Sequence, residues 1–484
     1  MESQGTPTPH THLDTIVDNF THGSLQQGIL STPLTTHSNR SQVYRAAAQV
    51  LKSSFCRVAP ELWAEIFLYY LPAFEPTSRD SFLEYEQHLL VLSSVCGHWH
   101  AVALSTPRLW SRIEYSSSPS HGSARKSRLP ERVGAWISRS RNCPLTIMLT
   151  LHPGADSDLV LGSLVLQSRR WEFLHVSADC ERRVCKGLSP IISGNLPLLR
   201  QAHVNVPLFG NEINPSLNLV WSLKQAPRLT SVHLSRIDPS SLHLLFDLPL
   251  TQLKSLTLPS ITSSRAFFCV LSQLPSVEDL RVTMDVGPPA LRSRSEVPEL
   301  PFIHTNLRSF SLDIAVRGDD LIIRHLQHET SHILANVDLP HLSTFSIACG
   351  ETHWPLEEAM SSFLKRNGRL LRELKVTQKQ EKVARSTRAD LSAQLREVLL
   401  LVPRLRGLEL KLAHKSLVRV LGMVSSRGGA SLVPLAEKLN LTILEDSGCS
   451  AEDVIEAISH IGQSKGLAME RTSPQTFILS THNH

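Results

Sequence analysis

The sequence predicts an α/β fold, in which a small helical module is followed by a long solenoid of strands and helices. Two observations lead to this prediction. The stretch from Arg57 to Tyr115 carries more apolar helix surface than about 60 residues can cover by themselves. From Trp171 onward, an apolar triplet with the spacing L-x-x-L-x-L recurs along the chain. Each triplet fits one buried strand, and helical patterns lie between successive triplets.

The composition is that of a folded protein. Hydrophobic residues make up 41% of the 484 residues, and charged residues make up 19%. The formal net charge of +5 is small for this length, so a nucleic-acid role is not demanded. We expect neither a secretory signal nor a membrane-spanning segment, because no suitable apolar run is present. The eight cysteines show no pairing rhythm, which predicts reduced thiols in a cytoplasmic and/or nuclear protein.

Two segments precede the first strongly apolar helix. Residues 1–40 are rich in Thr, Ser, Pro, His and Gly and poor in large apolar residues, so we predict a disordered tail. Ser41 can cap a helix from Gln42 to Phe55. This helix opens the helical module, which we place at residues 41–115.

The main helix of the module follows Arg57. Pro60 suits its first turn, because the missing proline N–H would have no intrahelical partner there. From Glu61 to Leu71 only Glu61 and Glu65 are strongly polar, and they share one stripe of the helix. A helix this apolar must be covered on nearly every side, either by a partner protein or by neighbouring parts of the chain.

A second helix and a hydrophobic hook complete the predicted module. Apolar residues from Leu92 to Ala103 recur at helical spacing, and Trp99 is a predicted core residue among them. Pro107 ends this helix, since the residue before a proline avoids the helical conformation. Residues 73–88, between the two helices, are interpreted as an insertion. The hook consists of Leu109, Trp110 and Ile113.

A basic linker is predicted at residues 116–142. Its cluster of Arg125, Lys126, Arg128 and Arg132 could contact phosphate, but a solvated linker fits better, because no aromatic platform accompanies the charges. A short helix around Trp136 leads out of the linker.

The predicted solenoid occupies residues 143–446, and a C-terminal helix and tail occupy 447–484. A strand with alternating apolar residues opens the array at 145–151. The triplets that follow begin at intervals of 24–35 residues, which is typical of a leucine-rich-repeat solenoid with a curved parallel sheet and outer helices. The Asn or Cys usual after each triplet is missing, so we expect an irregular array. The triplets begin at Trp171, Leu199, Leu229, Leu253, Val277, Leu307, Leu342, Leu371 and Leu405, with a weaker copy near Leu439.

The segments RVAPELWAEIFLYYLP and LLVLSSVCGHWHAVALSTPRLWSRI resemble an F-box, in the expanded form common among fungal F-box proteins. The later segment WISRSRNCPLTIMLTL is similar to a stretch that often follows it in that family. This resemblance implies a substrate-recognition adaptor of an SCF-type ubiquitin ligase, whose F-box docks on the Skp-type linker subunit while the repeats bind a protein substrate. It assigns to the docking surface or its support Val58, Pro60, Leu62, Ile66, Val95, Leu109 and Trp110.

The sequence departs from the F-box pattern at three places. Ala59 stands where the family usually has the proline of a Leu-Pro pair. Gly97, His98 and His100 replace the basic residues usual around the tryptophan. Residues 73–88 lengthen the first connection. These departures bear on the strength of linker binding more than on the fold.

A row of polar side chains is predicted on the concave face of the sheet. These side chains alternate with the buried positions of each triplet, and neighbouring strands would bring them roughly 5 Å apart. A plain solvated face is the ordinary interpretation of such a row. Our hypothesis is a neutral hydrogen-bonding patch for substrate, with binding that changes below about pH 6.5, where imidazole titrates. The predicted patch contains His175, Gln201, His203, Asn205, His233 and Arg281.

Motifs for an enzyme, a cofactor or a metal site have little support. Residues 462–466 match the pattern G-x-S-x-G, but a predicted helix instead of a strand precedes Ser464. Cys96 and His100 share a helix face, which gives too few ligands for zinc. The remaining alternative is a repeat scaffold that binds protein or RNA without any ligase.

Overall fold

The chain is an α/β protein with a large parallel sheet and helices between many of its strands. It divides into two units, the first formed by Met1–Tyr115 and Gly122–Met148, the second by Ser116–His121 and Leu149–His484. The computed structural model describes residues 58–72, 79–116, 129–152, 158–178, 196–208, 223–237, 248–285, 301–315, 320–350, 357–379, 391–402, 404–413, 438–444, 468–473 and 476–480.

The first unit is mainly helical. Two strands run close to each other, and the N–H of Thr146 donates to the carbonyl of Ser111 at 2.9 Å. The helices are α1 (Pro60–Tyr70), α2 (Arg79–Ser94), α3 (Gly97–Ser105) and α4 (Leu129–Arg139), and the strands are β1 (Arg112–Ser116) and β2 (Leu145–Leu151), the last of which extends past Met148 into the second unit.

Two sequence predictions for this unit are wrong. The second helix is not continuous from 92 to 103, because α2 ends at Ser94 and the chain is extended at Cys96 before α3 begins. The Cys96 Sγ accepts a hydrogen bond from the N–H of Trp99 at 3.5 Å, so the cysteine caps α3 where a continuous helix was expected. The connection between the two helices is shorter than predicted, because residues 79–88, which were assigned to it, form most of α2.

Part of the predicted linker is also helical. Helix α4 occupies residues 129–139, and its Trp136 is buried. The ring of Trp136 meets Trp110 edge-on with centroids 5.2 Å apart, and the guanidinium of Arg139 lies 4.5 Å from the Trp110 ring centroid. These contacts pack α4 against the predicted hook.

Within the described ranges, the second unit is built on ten parallel strands. Strands that follow one another along the chain, apart from two short ones, are neighbours in the sheet. The ten strands are β3 (Trp171–Ala178), β4 (Gln201–Leu208), β5 (Ser231–Ile237), β6 (Ser255–Ile261), β7 (Asp279–Met284), β9 (Ser309–Ile314), β11 (Thr344–Cys349), β12 (Glu373–Gln378), β13 (Gly407–Ala413) and β14 (Lys438–Leu444). The short strands β8 (Phe302–Ile303) and β10 (Val337–Asp338) pair with each other in a separate parallel sheet.

Helices connect several of these strands. The helical patterns that the sequence shows at 266–274 and 390–402 are confirmed as helices, with slightly shifted ends. The helices of this unit are α5 (Asp158–Val165), α6 (Ser264–Leu271), α7 (Asp320–Asn336), α8 (Glu357–Asn367) and α9 (Leu391–Leu400).

Two antiparallel strands follow the parallel ones. Strand β16 (Thr476–Ser480) pairs antiparallel with β14, and β15 (Ala468–Ser473) pairs antiparallel with β16. These residues were predicted as a tail, so the prediction is wrong for them. The predicted segments at 1–40, at 42–55 and at 451–466 lie outside the described residues.

The apolar triplets form the core of the second unit. Leu342, Phe345 and Ile347 are typical, with exposures of 0%, 0% and 1%. Side chains of successive triplets meet across the sheet, and the rings of Phe310 and Phe345 have centroids 5.9 Å apart. Because no single strand-plus-helix unit can bury these side chains alone, the units depend on their neighbours.

A repeated pair of backbone hydrogen bonds sets the register of the strands. The carbonyl of Arg200 accepts from the N–H groups of Thr230 and Ser231, at 2.9 and 3.1 Å. Each such carbonyl therefore fixes where the next strand starts, and equivalent residues fall into rows across the sheet. The same arrangement recurs at the carbonyls of Thr230, Lys254, Glu278, Arg308, Ser343 and Arg372.

Two buried polar side chains satisfy backbone groups beside the strands. His304 lies between the carbonyl of Leu274, at 2.7 Å from Nε2, and the N–H of Leu307, which donates to Nδ1 at 3.2 Å. Asn367 accepts from the N–H of Leu339 at 2.5 Å. Buried backbone groups without such partners would each cost about 1–3 kcal/mol. Among the described residues, no helix combines the length and apolar character needed to cross a membrane.

We expect Phe310→Ala to lower the free energy of unfolding by about 3–5 kcal/mol, because it opens a cavity among fully buried rings. The measurement is urea denaturation followed by far-UV circular dichroism. Leu321→Ala is the control, since Leu321 is 76% exposed and should change the free energy by less than about 0.5 kcal/mol. Equal effects of the two substitutions would contradict the core assignment.

Candidate functional site

Helix α1 is buried along one side and exposed along the other. Trp63 and Phe67 are 6% and 0% exposed. Leu62, Ile66 and Tyr69 are 58%, 49% and 93% exposed, and their spacing places them on one stripe of the helix. We call this stripe of Leu62, Ile66 and Tyr69 the apolar stripe. Apolar side chains at these positions are costly to leave in water, so the stripe is suited to a partner surface.

An aromatic cluster holds α1 in place and orients the apolar stripe. The ring centroid of Trp99 on α3 lies 4.9 Å from that of Trp63 and 5.0 Å from that of Phe67. Trp99 itself is only partly buried, so it contacts the core without being enclosed by it. An exposed ion pair joins Glu65 to Arg108 at 3.4 Å, and such pairs add little stability.

The residues assigned by the F-box resemblance separate into exposed and buried groups. Leu62, Ile66 and Val95 are about half exposed, at 58%, 49% and 55%. Pro60 is exposed and Val58 is partly exposed. The other two lie in the interior and can act only by supporting the helices: Leu109 and Trp110, at 0% and 3% exposure.

Hydrogen bonds hold the two buried residues, Leu109 and Trp110, in place. The Nε1–H of Trp110 donates to the carbonyl of Ala103 at 2.8 Å, which ties the hook to α3. The hydroxyl of Tyr85 donates to the carbonyl of Leu109 at 3.0 Å, which ties the hook to α2. Burial raises the pKa of the Tyr85 hydroxyl to about 12, so this donor keeps its proton throughout the physiological range.

Several exposed apolar residues of this unit were not singled out by the sequence analysis. Tyr69 belongs to the apolar stripe, and its spacing from Leu62 could have identified it. Tyr70 is 54% exposed, and its ring lies 5.4 Å from the imidazole of His88 on α2. Leu90 and Val91 on α2 are 50% and 55% exposed, but α2 was not recognised as a helix there.

The predicted polar patch lies on one face of the sheet in the second unit. His175, His203 and His233 occupy paired positions on β3, β4 and β5. Thr257 on β6 pairs with His233 and then with Arg281 on β7, so Arg281 continues the same row. Gln201 and Asn205 lie on β4, before and after His203. We call these six predicted residues, without Thr257, the histidine patch.

The imidazoles of the histidine patch stack along the sheet. The His203 and His233 rings are stacked with centroids 5.1 Å apart, and the His175 ring lies 6.1 Å from His203. The ring of Phe173 is 5.2 Å from His203, which adds an apolar neighbour. Each ring is therefore partly shielded from water by the next one.

This packing keeps the three imidazoles neutral near pH 7. Burial, reinforced by His233 and His175, lowers the pKa of His203 to about 4. Burial is also the largest cause that lowers the pKa of His175, and the nearby His233 lowers it further. The pKa of His233 is likewise lowered first by burial and then by the charge of Arg281. The change in substrate binding that the sequence predicts just below pH 6.5 is therefore expected at a more acidic pH.

Unused hydrogen-bonding atoms remain on the patch. The Nε2 of His233 lies 2.9 Å from the Ser235 hydroxyl, and the Nδ2 of Asn205 donates to the Ser177 hydroxyl at 3.3 Å. Within the described part of the chain, the Asn205 Oδ1 and the His175 Nδ1 are buried without a partner. The Asn205 oxygen can only accept, so a ligand that satisfies it must present a hydrogen-bond donor.

The cysteine and histidines near α3 do not form a metal site. Cys96 caps α3, and His100 Nδ1 lies 3.1 Å from the carbonyl of Ser93. No group of three His, Cys, Asp or Glu side chains in the described ranges is arranged to hold a metal ion.

Comparison of the sequence with protein-family models gives no match, and comparison with curated proteins gives none. The functional interpretation therefore depends on the two surfaces described above, the apolar stripe and the histidine patch.

We expect acid to destabilise the second unit through the histidine patch. An unfolded histidine binds its proton at about pH 6.5, whereas these folded imidazoles have a lowered pKa. Stability is therefore complete above about pH 6.5 and falls as the pH drops towards the folded pKa, because the unfolded state binds more protons there. The measurement is the urea midpoint at several values between about pH 7.5 and 4.5.

The triple variant His175→Gln, His203→Gln, His233→Gln should show a flatter dependence on pH than the parent. The control is His325→Gln with His328→Gln, which removes two exposed histidines on α7. If the triple variant keeps the acid sensitivity of the parent, the patch does not contribute to it.

Proposed function

We propose that the chain is a substrate-recognition adaptor of an SCF-type ubiquitin ligase. In this proposal the first unit is an F-box that docks on a Skp-type linker subunit, and the second unit is a leucine-rich-repeat array that holds a protein substrate. The chain itself carries out no chemistry and uses no cofactor. An adaptor of this kind acts in the cytoplasm and/or the nucleus.

The observation that carries the proposal is the exposed apolar stripe on α1. Leu62 and Ile66 lie at positions that the F-box resemblance assigns to linker docking, and both are about half exposed while Trp63 and Phe67 anchor the same helix. Burying a leucine or isoleucine side chain yields about 1.5–3 kcal/mol. Two such side chains on one stripe can therefore supply a large share of the affinity for a linker.

The histidine patch supports the second half of the proposal. It places partly buried neutral imidazoles and an exposed glutamine on one face of the sheet. Arg281, the charged member of the patch, lies 3.7 Å from the carboxylate of Asp279, so hydrogen bonds from the polar groups favour a protein surface over a phosphate held by charge. The patch is therefore assigned to substrate, and the apolar stripe to the linker.

We expect Leu62→Asp with Ile66→Asp to weaken linker capture by more than about a hundredfold, since two buried apolar contacts are lost and two charges must be desolvated. The measurement is co-purification of the full chain with a Skp-type linker, followed by titration. Circular dichroism and the urea midpoint should stay close to those of the parent, because both positions are exposed.

The matched control is Leu166→Asp with Leu321→Asp, two exposed leucines of the second unit at 82% and 76% exposure. This control carries the same charge change and should retain linker capture. Undiminished capture by the folded Leu62/Ile66 variant would contradict the docking assignment. A parent chain that captures protein or RNA but no linker would favour the scaffold without a ligase.

A further inference from the structure

An open groove with a volume of about 700 Å³ lies where the strands of the second unit begin. Its walls include the residues that immediately precede five consecutive strands, β6, β7, β9, β11 and β12. These residues are Lys254, Glu278, Arg308, Ser343 and Arg372. The groove belongs to none of the sites that the sequence analysis predicted.

The groove is positively charged. Lys254, Arg308 and Arg372 line it, and among the described lining residues Glu278 is the one carboxylate. Glu278 lies 3.3 Å from the Lys254 ammonium, so these two charges offset each other. Among the described residues, the exposed guanidinium groups of Arg308 and Arg372 form no ion pair, which leaves a surplus of two positive charges.

The positions of these cations follow from the register of the sheet. The carbonyl of Arg308 accepts from the N–H groups of Ser343 and Thr344, and the carbonyl of Ser343 accepts from those of Arg372 and Glu373. Neighbouring strands are about 4.8 Å apart, so the Cα atoms of Arg308 and Arg372 are separated by about 10 Å. Lys254 lies two strands beyond Arg308, on the side away from Arg372. The five positions from Lys254 to Arg372 therefore span about 20 Å.

The floor of the groove is held by short polar contacts. The hydroxyl of Ser343 donates to the Arg308 carbonyl at 3.0 Å, and the Nδ2 of Asn306 donates to the Pro275 carbonyl at 2.7 Å. His341 Nδ1 lies 2.6 Å from the Thr305 carbonyl. The backbone beneath the arginines is therefore fixed, while the guanidinium groups stay free to meet a ligand.

Two properties favour a protein ligand over nucleic acid. Where the structure describes the lining, it includes no Phe, Tyr or Trp on which bases could stack. A span of about 20 Å matches an extended peptide of about six residues, and Leu370, which is 46% exposed, adds an apolar contact on the wall. Guanidinium groups bind carboxylates and phosphate esters with paired hydrogen bonds, so both anions suit Arg308 and Arg372.

We infer that this groove binds an extended protein segment that carries closely spaced negative charges, either carboxylates or phosphate esters. Arg308 and Arg372 form its anion-binding pair, and Ser343 lies between them, immediately before the intervening strand β11. The inference deepens the proposed function and rests on it for the identity of the segment as part of a substrate. Binding to the groove requires no linker subunit, so the two proposals can fail separately.

The test measures fluorescence anisotropy of labelled six-residue probes with the full chain. The probes are hexaglutamate, a Gly/Ser hexapeptide with two phosphoserines three residues apart, hexaglutamine, and hexauridylate. We expect hexaglutamate or the phosphopeptide to bind at least about tenfold more tightly than hexaglutamine, with affinity that falls as salt is raised. The stronger of the two anionic peptides identifies the preferred source of charge.

Arg308→Gln with Arg372→Gln should remove at least about tenfold of that affinity. The control is Arg200→Gln with Arg228→Gln, which removes two exposed arginines that precede β4 and β5 and do not line the groove, and it should leave binding within about threefold of the parent. A second variant, Ser343→Asp, keeps both arginines and places a negative charge between them, so it should weaken binding even if the double variant unfolds.

Three results would overturn the inference. The first is a parent chain that binds the four probes equally, which would show no charge selection. The second is an equal loss of affinity in the control pair, which would mean that general surface charge is responsible. The third is tighter binding of hexauridylate than of either anionic peptide, which would assign the groove to nucleic acid. None of these results changes the expected capture of the linker through Leu62 and Ile66.

Discussion

The second unit depends on the backbone carbonyl of the residue that immediately precedes each strand. In seven successive cases this carbonyl accepts from two consecutive N–H groups of the next strand, as at Arg200 with Thr230 and Ser231. The arrangement consists of backbone atoms alone, so it operates with Arg, Thr, Lys, Glu or Ser at the position. Because it fixes where every strand begins, side chains of different repeats fall into continuous rows. Both the histidine patch and the cationic groove are such rows.

The two rows differ in charge because one carries imidazoles and the other carries guanidinium groups. The imidazoles of His175, His203 and His233 lie against one another and against Phe173, so water is partly excluded and the neutral form is favoured. Arg308 and Arg372 are exposed and immediately precede their strands. The stacked imidazoles and the arginines at the strand starts are separated by only a few residues along the strands.

The sequence predicts the parallel strands well, because each triplet requires burial at three fixed positions. It also predicts that the three histidines share a face, since alternation along a strand needs no tertiary information. The break at Cys96 is not visible in the apolar pattern, which runs through it unchanged. The sequence likewise does not show which residues of α1 are exposed. Leu62 and Phe67 are both strongly apolar, and Phe67 is buried because it packs on Trp99. The groove was not predicted, because Arg308, Ser343 and Arg372 occupy the same position before their strands but are not all of one residue type.

The distances between successive triplets, from 24 to 35 residues, have a consequence for how such a chain can change in evolution. The register of each strand is set by hydrogen bonds to its neighbour, so a connection can gain or lose residues without shifting any row of side chains. The entropic cost of a longer loop also grows slowly with its length. One residue inserted inside a strand would instead turn every later side chain of that strand to the opposite face. The register therefore favours insertions and deletions between the strands over changes within them, and the rows of side chains can persist while the connections diverge.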